Sequence, residues 1–149
     1  MVISLPTLIL LMGLPASGKT TYGSKLTGVK IDVDLIRKGA TGSAQTQGNF
    51  NELVHHLTQR SVHFYLSQGK SVIVDALFLK ASDRKAYIAM AKKLGAQVEV
   101  HWLDPSMEEI KKRLVAKKDT QTLARLEKFA QNLDFPNKEE GIDVVHYVT

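Results

Sequence analysis

Short runs of apolar residues alternate along this chain with longer segments in which apolar positions recur every three or four residues. The apolar runs predict strands at residues 7–12, 29–31, 71–74, 98–103 and 143–148. The longer segments predict helices at residues 21–26, 34–38, 51–68, 82–94, 106–116 and 120–133. Strands that alternate with helices are typical of βαβ units. The pattern therefore predicts an α/β fold, a parallel β-sheet flanked by helices.

Apolar stripes on two predicted helices indicate the sides that face the core. The stripe of the helix at 51–68 comprises Leu53, Val54, Leu57, Phe64 and Tyr65. The stripe of the helix at 82–94 comprises Tyr87, Met90, Ala91 and Leu94. Gly95 then predicts a left-handed cap, and Ser106 with Glu109 predicts a capping box for the next helix. The segment at 39–48, rich in Gly, Ser, Thr and Gln, is predicted to be a mobile loop.

Composition narrows the class of protein. The 149 residues suit a single domain over positions 1–149, and the net charge of +5 favours a polyanionic partner or a solvated basic surface. There is no cysteine, so disulfides and thiolate zinc sites are excluded. The apolar opening at residues 1–12 is too short to span a membrane and lacks a basic start, so we interpret it as the first strand and expect a cytoplasmic protein without membrane contact.

Residues 13–20, Gly-Leu-Pro-Ala-Ser-Gly-Lys-Thr, match the phosphate-loop pattern G-x-x-x-x-G-K-[ST] between a predicted strand and a predicted helix. In such a loop the backbone amides surround the phosphates of a nucleoside triphosphate, here taken to be ATP. Lys19 supplies a positive charge for the β- and γ-phosphates, and the Thr20 hydroxyl is the candidate Mg²⁺ ligand. The candidate nucleotide-binding residues of this segment, together with the residue that follows it, are Gly13, Ala16, Ser17, Gly18, Lys19, Thr20 and Thr21.

Acidic residues follow the second and third predicted strands, where ligands of doubly wound folds bind. Asp34 can face an acceptor hydroxyl with Arg37 one helical turn later; alternatively, Asp34 caps a helix and Arg37 pairs with Asp32. Asp75 ends a hydrophobic strand, and its carboxylate can hold Mg²⁺ through water or anchor an arginine of the cleft. The alternative for Asp75 is a turn-forming aspartate.

A basic run at residues 111–118 ends one predicted helix and leads into the next. This pair of helices, at about 111–125, is a candidate short helical lid over the triphosphate, with Arg113 and Lys117 on one face. Lys111, Lys112 and Lys118 are interpreted as cations that complement the helix dipole.

Histidines offer weaker signals. His56, Gln59, Arg60 and His63 form a polar stripe that is either a solvated face or a wall of the acceptor cleft. His101 and His146 fall in predicted strands and are interpreted as structural.

Taken in order, these motifs resemble the small, AAA-type P-loop kinases grouped with the kinase domain of 5′-polynucleotide kinases. The resemblance rests on residues 13–21, the Asp34–Arg37 segment, residues 72–75 with Arg84, the helix at 109–117 and the closing segment at 135–145. Two positions depart from the family: Ala76 follows Asp75 where a polar residue is common, and Lys117 stands where a second lid arginine is expected.

The resemblance implies a P-loop NTPase/kinase fold and transfer of the γ-phosphoryl group of ATP, with Mg²⁺, to the 5′-hydroxyl end of DNA or RNA. It implies that Asp34 is the general base, that Lys19 and Arg113 act on the phosphates together with Lys117, and that Arg37, Asp75 and Arg84 contact the substrate. A kinase of a small hydroxylated metabolite or nucleoside and a nucleotide-binding switch without kinase activity are the alternatives. The oligomeric state is left open.

Overall fold

A five-stranded parallel sheet organises the chain, and the computed structural model describes residues 5–42 and 50–149. The strands are β1 Thr7–Met12, β2 Val29–Asp32, β3 Val72–Asp75, β4 Gln97–Leu103 and β5 Val144–Val148. Their order across the sheet is β2-β3-β1-β4-β5, and every neighbouring pair is parallel. The carboxyl ends of all five strands therefore meet at one edge of the sheet, as the alternating sequence pattern predicted.

Helices connect successive strands. They are α1 Lys19–Gly23, α2 Val33–Thr41, α3 Phe50–Ser67, α4 Ala81–Lys93, α5 Met107–Ala116 and α6 Thr120–Gln131, followed by a 3-10 turn at Lys138–Glu140. Crossover helices are needed because parallel strands cannot be joined by a tight turn. In the described part of the chain, no helix is both long and apolar enough to cross a membrane.

The central strands are buried on both faces. On one face Leu8, Leu10 and Val74 pack in a cluster that includes Val54 and Tyr87 from α3 and α4. On the other face Ile9, Leu11 and Ile73 pack against Tyr22 of α1 and Leu26. The α5–α6 pair forms a separate apolar cluster with Leu14, which places these two helices beside the start of the phosphate loop.

The buried face of α3 agrees with the predicted stripe only at Val54, which is buried, and at Tyr65, which packs against the core. Leu53, Leu57 and Phe64 are exposed, whereas the buried positions are Val54, Thr58, Val62 and Leu66. Thr58 interrupts the hydrophobic pattern of the true core face, but its hydroxyl donates to the carbonyl of Val54 at 2.7 Å and is satisfied within the helix. Because a polar residue occupies this buried position, the pattern of apolar residues did not predict the whole core face of α3.

Several predicted boundaries shift. Helix α1 ends at Gly23 rather than 26, and α2 extends to Thr41, so the first residues of the predicted mobile loop are helical. Residues 43–48 of that loop lie outside the described residues. The left-handed conformation of Gly95 is confirmed by its φ of +71°. Ser106 caps α5 by accepting from the Glu109 amide, but the Glu109 carboxylate pairs with Arg113, so the reciprocal half of the predicted capping box is missing.

Arg84 lies in the protein interior and does not contact the substrate, contrary to what the family resemblance implied. Its side chain is fully buried and forms an ion pair with Glu140 at 2.8 Å. Its other N–H groups donate to the carbonyls of Phe78, Leu79 and Asp134. Arg84 therefore joins α4 to the loop after β3 and to the segment before β5. Its guanidinium is bonded to groups of the protein itself.

Replacing Arg84 with Met should destabilise the fold by about 3–5 kcal/mol, because Glu140 and three carbonyls would lose their buried partner. Urea denaturation of this variant against wild type measures the change. Lys92→Met is the matched control, since the Lys92–Asp143 pair is solvent-exposed and should contribute no more than about 1 kcal/mol. Equal effects of the two substitutions would contradict the structural role of Arg84.

Candidate active site

The loop between β1 and α1 is shaped by close contacts at Gly13. A Cβ atom at this position would lie 2.5 Å from Ser17 Oγ and 2.7 Å from the Leu103 carbonyl oxygen. The Gly13 amide donates to the carbonyl of Leu77 at 3.1 Å. Only glycine fits here, because the loop must pass directly beside the ends of β3 and β4.

Two residues of the loop adopt left-handed backbone conformations, Ala16 with φ of +64° and Gly18 with φ of +96°. Alternation of left- and right-handed residues turns successive N–H groups toward one side and forms an anion-binding concavity. Ser17 Oγ lies buried in the same loop and has no hydrogen-bond partner among the described residues. These features fit a phosphate-binding loop, as its sequence predicts.

Lys19 is the positive centre of the site. Its ammonium donates to the carbonyls of Gly13 and Leu14, each at 3.1 Å. Burial lowers the pKa of Lys19 to about 8, and the carboxylates of Asp75, Asp34 and Asp32 oppose this effect in that order. Asp75, Asp34 and Asp32 therefore all lie near Lys19.

Strand register places two of these carboxylates side by side. Asp32 and Asp75 are partners in the pairing of β2 with β3, so both lie at the carboxyl edge of the sheet. The Thr20 hydroxyl donates to Asp75 Oδ2 at 2.6 Å. Burial raises the pKa of Asp75, while the Thr20 hydrogen bond and Lys19 oppose the shift. Asp75 thus contacts the predicted Mg²⁺ ligand directly.

The helix cap at α2 is Asp32, not Asp34. Asp32 Oδ1 accepts from the amides of Asp34 at 2.9 Å and Leu35 at 3.3 Å, which leaves the Asp34 side chain in the first turn of α2 without a capping role. Burial, followed by the charge of Asp32, raises the pKa of Asp34, and Arg37 and Lys19 oppose the shift. The alternative in which Asp34 caps the helix is therefore wrong.

Arg37 reaches α3 rather than Asp32. Its guanidinium donates to Asn51 Oδ1. The charge of Arg37 also lowers the pKa of His55, although burial is the larger cause, so Arg37 lies near both Asn51 and His55 of α3. The stripe of His56, Gln59, Arg60 and His63 was predicted to be either a solvated face or a wall of the acceptor cleft, and three of these four residues are exposed, which agrees with a solvated face. The i,i+4 spacing of Asn51 and His55 was the signal that could have found them.

The α5–α6 pair covers one side of the loop. Arg113 donates to the carbonyl of Ala16 at 3.0 Å, and its Nε pairs with Glu109 at 3.2 Å. The predicted lid arginine is thus in contact with the phosphate loop. Lys117 at the end of α5 and Thr21 on α1 are exposed, and their expected nucleotide contacts stay predictions.

A cavity of about 420 Å³ opens at the carboxyl ends of β4 and β5, next to Leu14 of the loop. Its aromatic walls are Trp102, Phe135 and Tyr147, and the Trp102 ring lies 5.1 Å from each of the other two rings. No local sequence pattern predicts this cavity, because its walls come from three separate segments.

The oxygen-rich edge fits a hard dication. The Thr20 hydroxyl and the nearby carboxylates of Asp75, Asp32 and Asp34 are the kind of ligands that Mg²⁺ prefers, usually with waters and substrate phosphates. Thr20 and Asp75 are the residues we expect to hold it.

Solved structures with the same fold support this description. The chain is 23% identical, with a TM-score of 0.67, to a chain in the structure of a Pnkp1/Rnl/Hen1 complex, covering 76% of this chain and 40% of that one. It is 17% identical to Kti12 from Chaetomium thermophilum in complex with ADP-AlF3, with a TM-score of 0.71 and coverage of 95% and 88%. It is 20% identical to a gluconokinase from Sinorhizobium meliloti 1021, with a TM-score of 0.66 and coverage of 97% and 84%.

The sheet order, the phosphate loop and the helical lid define the P-loop kinase fold. A family model described as AAA domain matches residues 8–136, and the chain belongs to this family. The chain spans less than half the length of the Pnkp1/Rnl/Hen1 chain that it matches.

Binding of a triphosphate should be coupled to proton uptake by Lys19. In the protein without a nucleotide, the pKa of Lys19 is about 8. A bound polyanion raises this pKa. Between these two values the complex holds more protons than the free protein, so affinity should fall up to about tenfold per pH unit above pH 8.

Calorimetric titration with AMPPNP, in buffers of different ionisation enthalpy, measures the proton uptake directly. Lys19→Met should abolish both the uptake and the pH dependence above pH 8. Affinity in wild type that stays constant up to pH 10 would contradict the assignment.

Proposed function

We propose that this protein is an ATP-dependent kinase that transfers the γ-phosphoryl group to a hydroxyl, and that its acceptor is the 5′-hydroxyl end of a polynucleotide. The observation that carries the proposal is the meeting of Lys19 on the phosphate loop with Asp34 on α2. Each shifts the pKa of the other, so a phosphate-binding cation and a candidate base lie close together.

The nucleotide would lie across the loop. Backbone amides at residues 13–20 and the Lys19 ammonium would bind the β- and γ-phosphates, and Arg113, already held at the loop by Ala16, would balance charge on the phosphates. Mg²⁺ held by Thr20 and Asp75 would neutralise phosphate charge. Phosphoryl transfer depends mainly on such positioning and electrostatic stabilisation, so few further groups are required.

The two ends of the nucleotide would occupy opposite halves of the sheet edge. The aromatic cavity lies at β4 and β5, whereas Asp34 follows β2 on the other side of β1. A base stacked among Trp102, Phe135 and Tyr147 would leave the γ-phosphate directed toward Asp34. This arrangement supports a nucleoside triphosphate as the donor and the β2 side as the acceptor side.

Asp34 would orient the acceptor hydroxyl and accept its proton. Partial burial and the charge of Asp32 raise its pKa, which makes the carboxylate a stronger base than an aspartate with the ordinary pKa. Arg37, one turn along α2, would hold a phosphate of the acceptor, with Asn51 and His55 beside it. The net charge of +5 supports a polyanionic acceptor, and so does the fold shared with the Pnkp1 complex.

Replacing Asp34 with Asn should lower phosphoryl transfer at least about a hundredfold, because the base is lost while the helix cap at Asp32 is retained. The assay follows transfer from labelled ATP with Mg²⁺ to a 5′-hydroxyl oligonucleotide, and calorimetry checks that ATP affinity is preserved. Glu139→Gln, which neutralises an exposed carboxylate in the 3-10 turn, is the charge-matched control and should leave transfer unchanged.

The acceptor is decided in the same assay. Labelled oligonucleotide formed by wild type and lost in the Asp34 variant supports the whole proposal. Transfer to a small hydroxylated acceptor such as gluconate, but not to the oligonucleotide, would retain the kinase and overturn the polynucleotide acceptor. ATP binding without transfer to any hydroxyl would leave a nucleotide-binding switch.

Trp102 reports on the base site, because it is the only tryptophan and lines the cavity. ATP binding should therefore change its fluorescence, and Phe135→Ala should weaken ATP binding severalfold through loss of stacking. Inorganic triphosphate, which has no base, is the control and should leave the Trp102 spectrum nearly unaltered. An equal response to both ligands would contradict the placement of the base.

A further inference from the structure

Two histidines and a glutamate converge on the opposite face of the sheet edge from the aromatic cavity. His101 on β4 and His146 on β5 are directly paired across the two strands. Glu99 lies two residues before His101 on the same face of β4. Because side chains alternate along a strand, Glu99 and His101 share the face that carries Ile9 and Leu11 and is covered by α1.

The polar atoms of this cluster are close enough to share one ligand. His101 Nε2 lies 2.9 Å and His146 Nε2 lies 3.2 Å from the same oxygen, Oε1 of Glu99. One candidate ligand atom from each residue lies within 4.8 Å of the other two. Ligand atoms around a tetrahedral ion with bonds of about 2.0–2.2 Å are separated by roughly 3.3 Å. Small side-chain rotations would therefore complete three metal–ligand bonds.

A second observation concerns the other nitrogen of His101. Tyr22 Oη on α1 lies 2.6 Å from His101 Nδ1 and holds the ring with Nε2 directed at Glu99. Metal-binding histidines almost always have such a partner on the nitrogen that does not bind the metal, because it fixes the tautomer and the ring orientation.

We propose that Glu99, His101 and His146 form a binding site for a transition-metal dication of the Zn²⁺ type. Two imidazoles and one carboxylate match the ligand set of open zinc sites, with a fourth position left for water. The half-exposed His146 provides the entry path, since its side chain is 48% accessible whereas that of His101 is 6%. This site is separate from the oxygen-rich edge at Thr20 and Asp75, which suits Mg²⁺.

The ion would act on two elements of the fold. It would fasten β5, an edge strand, to β4, because its ligands come from both strands. It would also set the hydrogen bond to α1: with the metal on Nε2, His101 Nδ1 carries the proton and donates to Tyr22. Tyr22 follows Lys19 and Thr20 in the same helix, so the ion would stabilise the helix that supports the phosphate loop.

The test is metal binding by the untagged protein without nucleotide, in excess Mg²⁺ so that the oxygen-rich edge is occupied. Titration with Zn²⁺ should give one ion per chain, and Co²⁺ should give a visible absorption band typical of imidazole ligation. His146→Ala and Glu99→Gln should each weaken binding at least about tenfold, since even loss of an outer partner costs 10–100-fold. His56→Ala and His63→Ala, exposed histidines on α3, are the matched controls.

Thermal unfolding supplies an independent readout. Zn²⁺ should raise the melting temperature of wild type and of both control variants, but not that of His146→Ala. A cluster that is only hydrogen-bonded would bind no ion, and the His146 and His56 variants would then respond to Zn²⁺ alike. The absence of ion binding, or an equal response of the two variants, would overturn the proposal. Neither result bears on kinase activity, because no nucleotide is used.

Discussion

The site depends on the electrostatic balance between one buried ammonium and three carboxylates at the carboxyl edge of a parallel sheet. Burial lowers the pKa of Lys19, and Asp75, Asp34 and Asp32 restore part of the charged form. The same burial raises the pKa values of Asp34 and Asp75. The charge of Lys19 opposes both shifts, whereas the neighbouring carboxylates add to them, so the loop, the end of β3 and the start of α2 act as one electrostatic unit.

The parallel sheet is what brings this unit together. Strand β1 lies in the centre and carries the phosphate loop, with β3 and β2 on one side and β4 and β5 on the other. The first side ends in carboxylates and leads to Arg37; the second ends at an aromatic cavity. The lid helices contact the loop through Arg113 and pack on Leu14. A charged half and an apolar half of one edge thus suit the two ends of a nucleotide.

Local sequence patterns were sufficient to predict the strands and the phosphate loop. All five strands begin and end within one residue of their predicted limits, because short apolar runs of this length are typical of buried strands. The phosphate loop was recognised because its glycines and lysine are contiguous in sequence. Two predictions failed for different reasons. Arg84 was assigned to the substrate, yet it pairs with Glu140, which lies far from it in the sequence. Thr58 interrupts the apolar pattern of the core face of α3, because its hydroxyl is satisfied within its own helix and can be buried there.

By itself, the sequence determined the order of elements, the class of fold and the identity of the phosphate loop, because these rest on periodicity and on contiguous motifs. The sequence left open which aspartate caps α2, and the structure shows that Asp32 does so within its own segment, while Asp34 remains available to the site. Only the tertiary structure decided that Trp102 meets Phe135, and that Glu99 and His101 meet His146. The reason is physical: such meetings depend on strand register and on packing between segments far apart in the chain, and no local pattern encodes either.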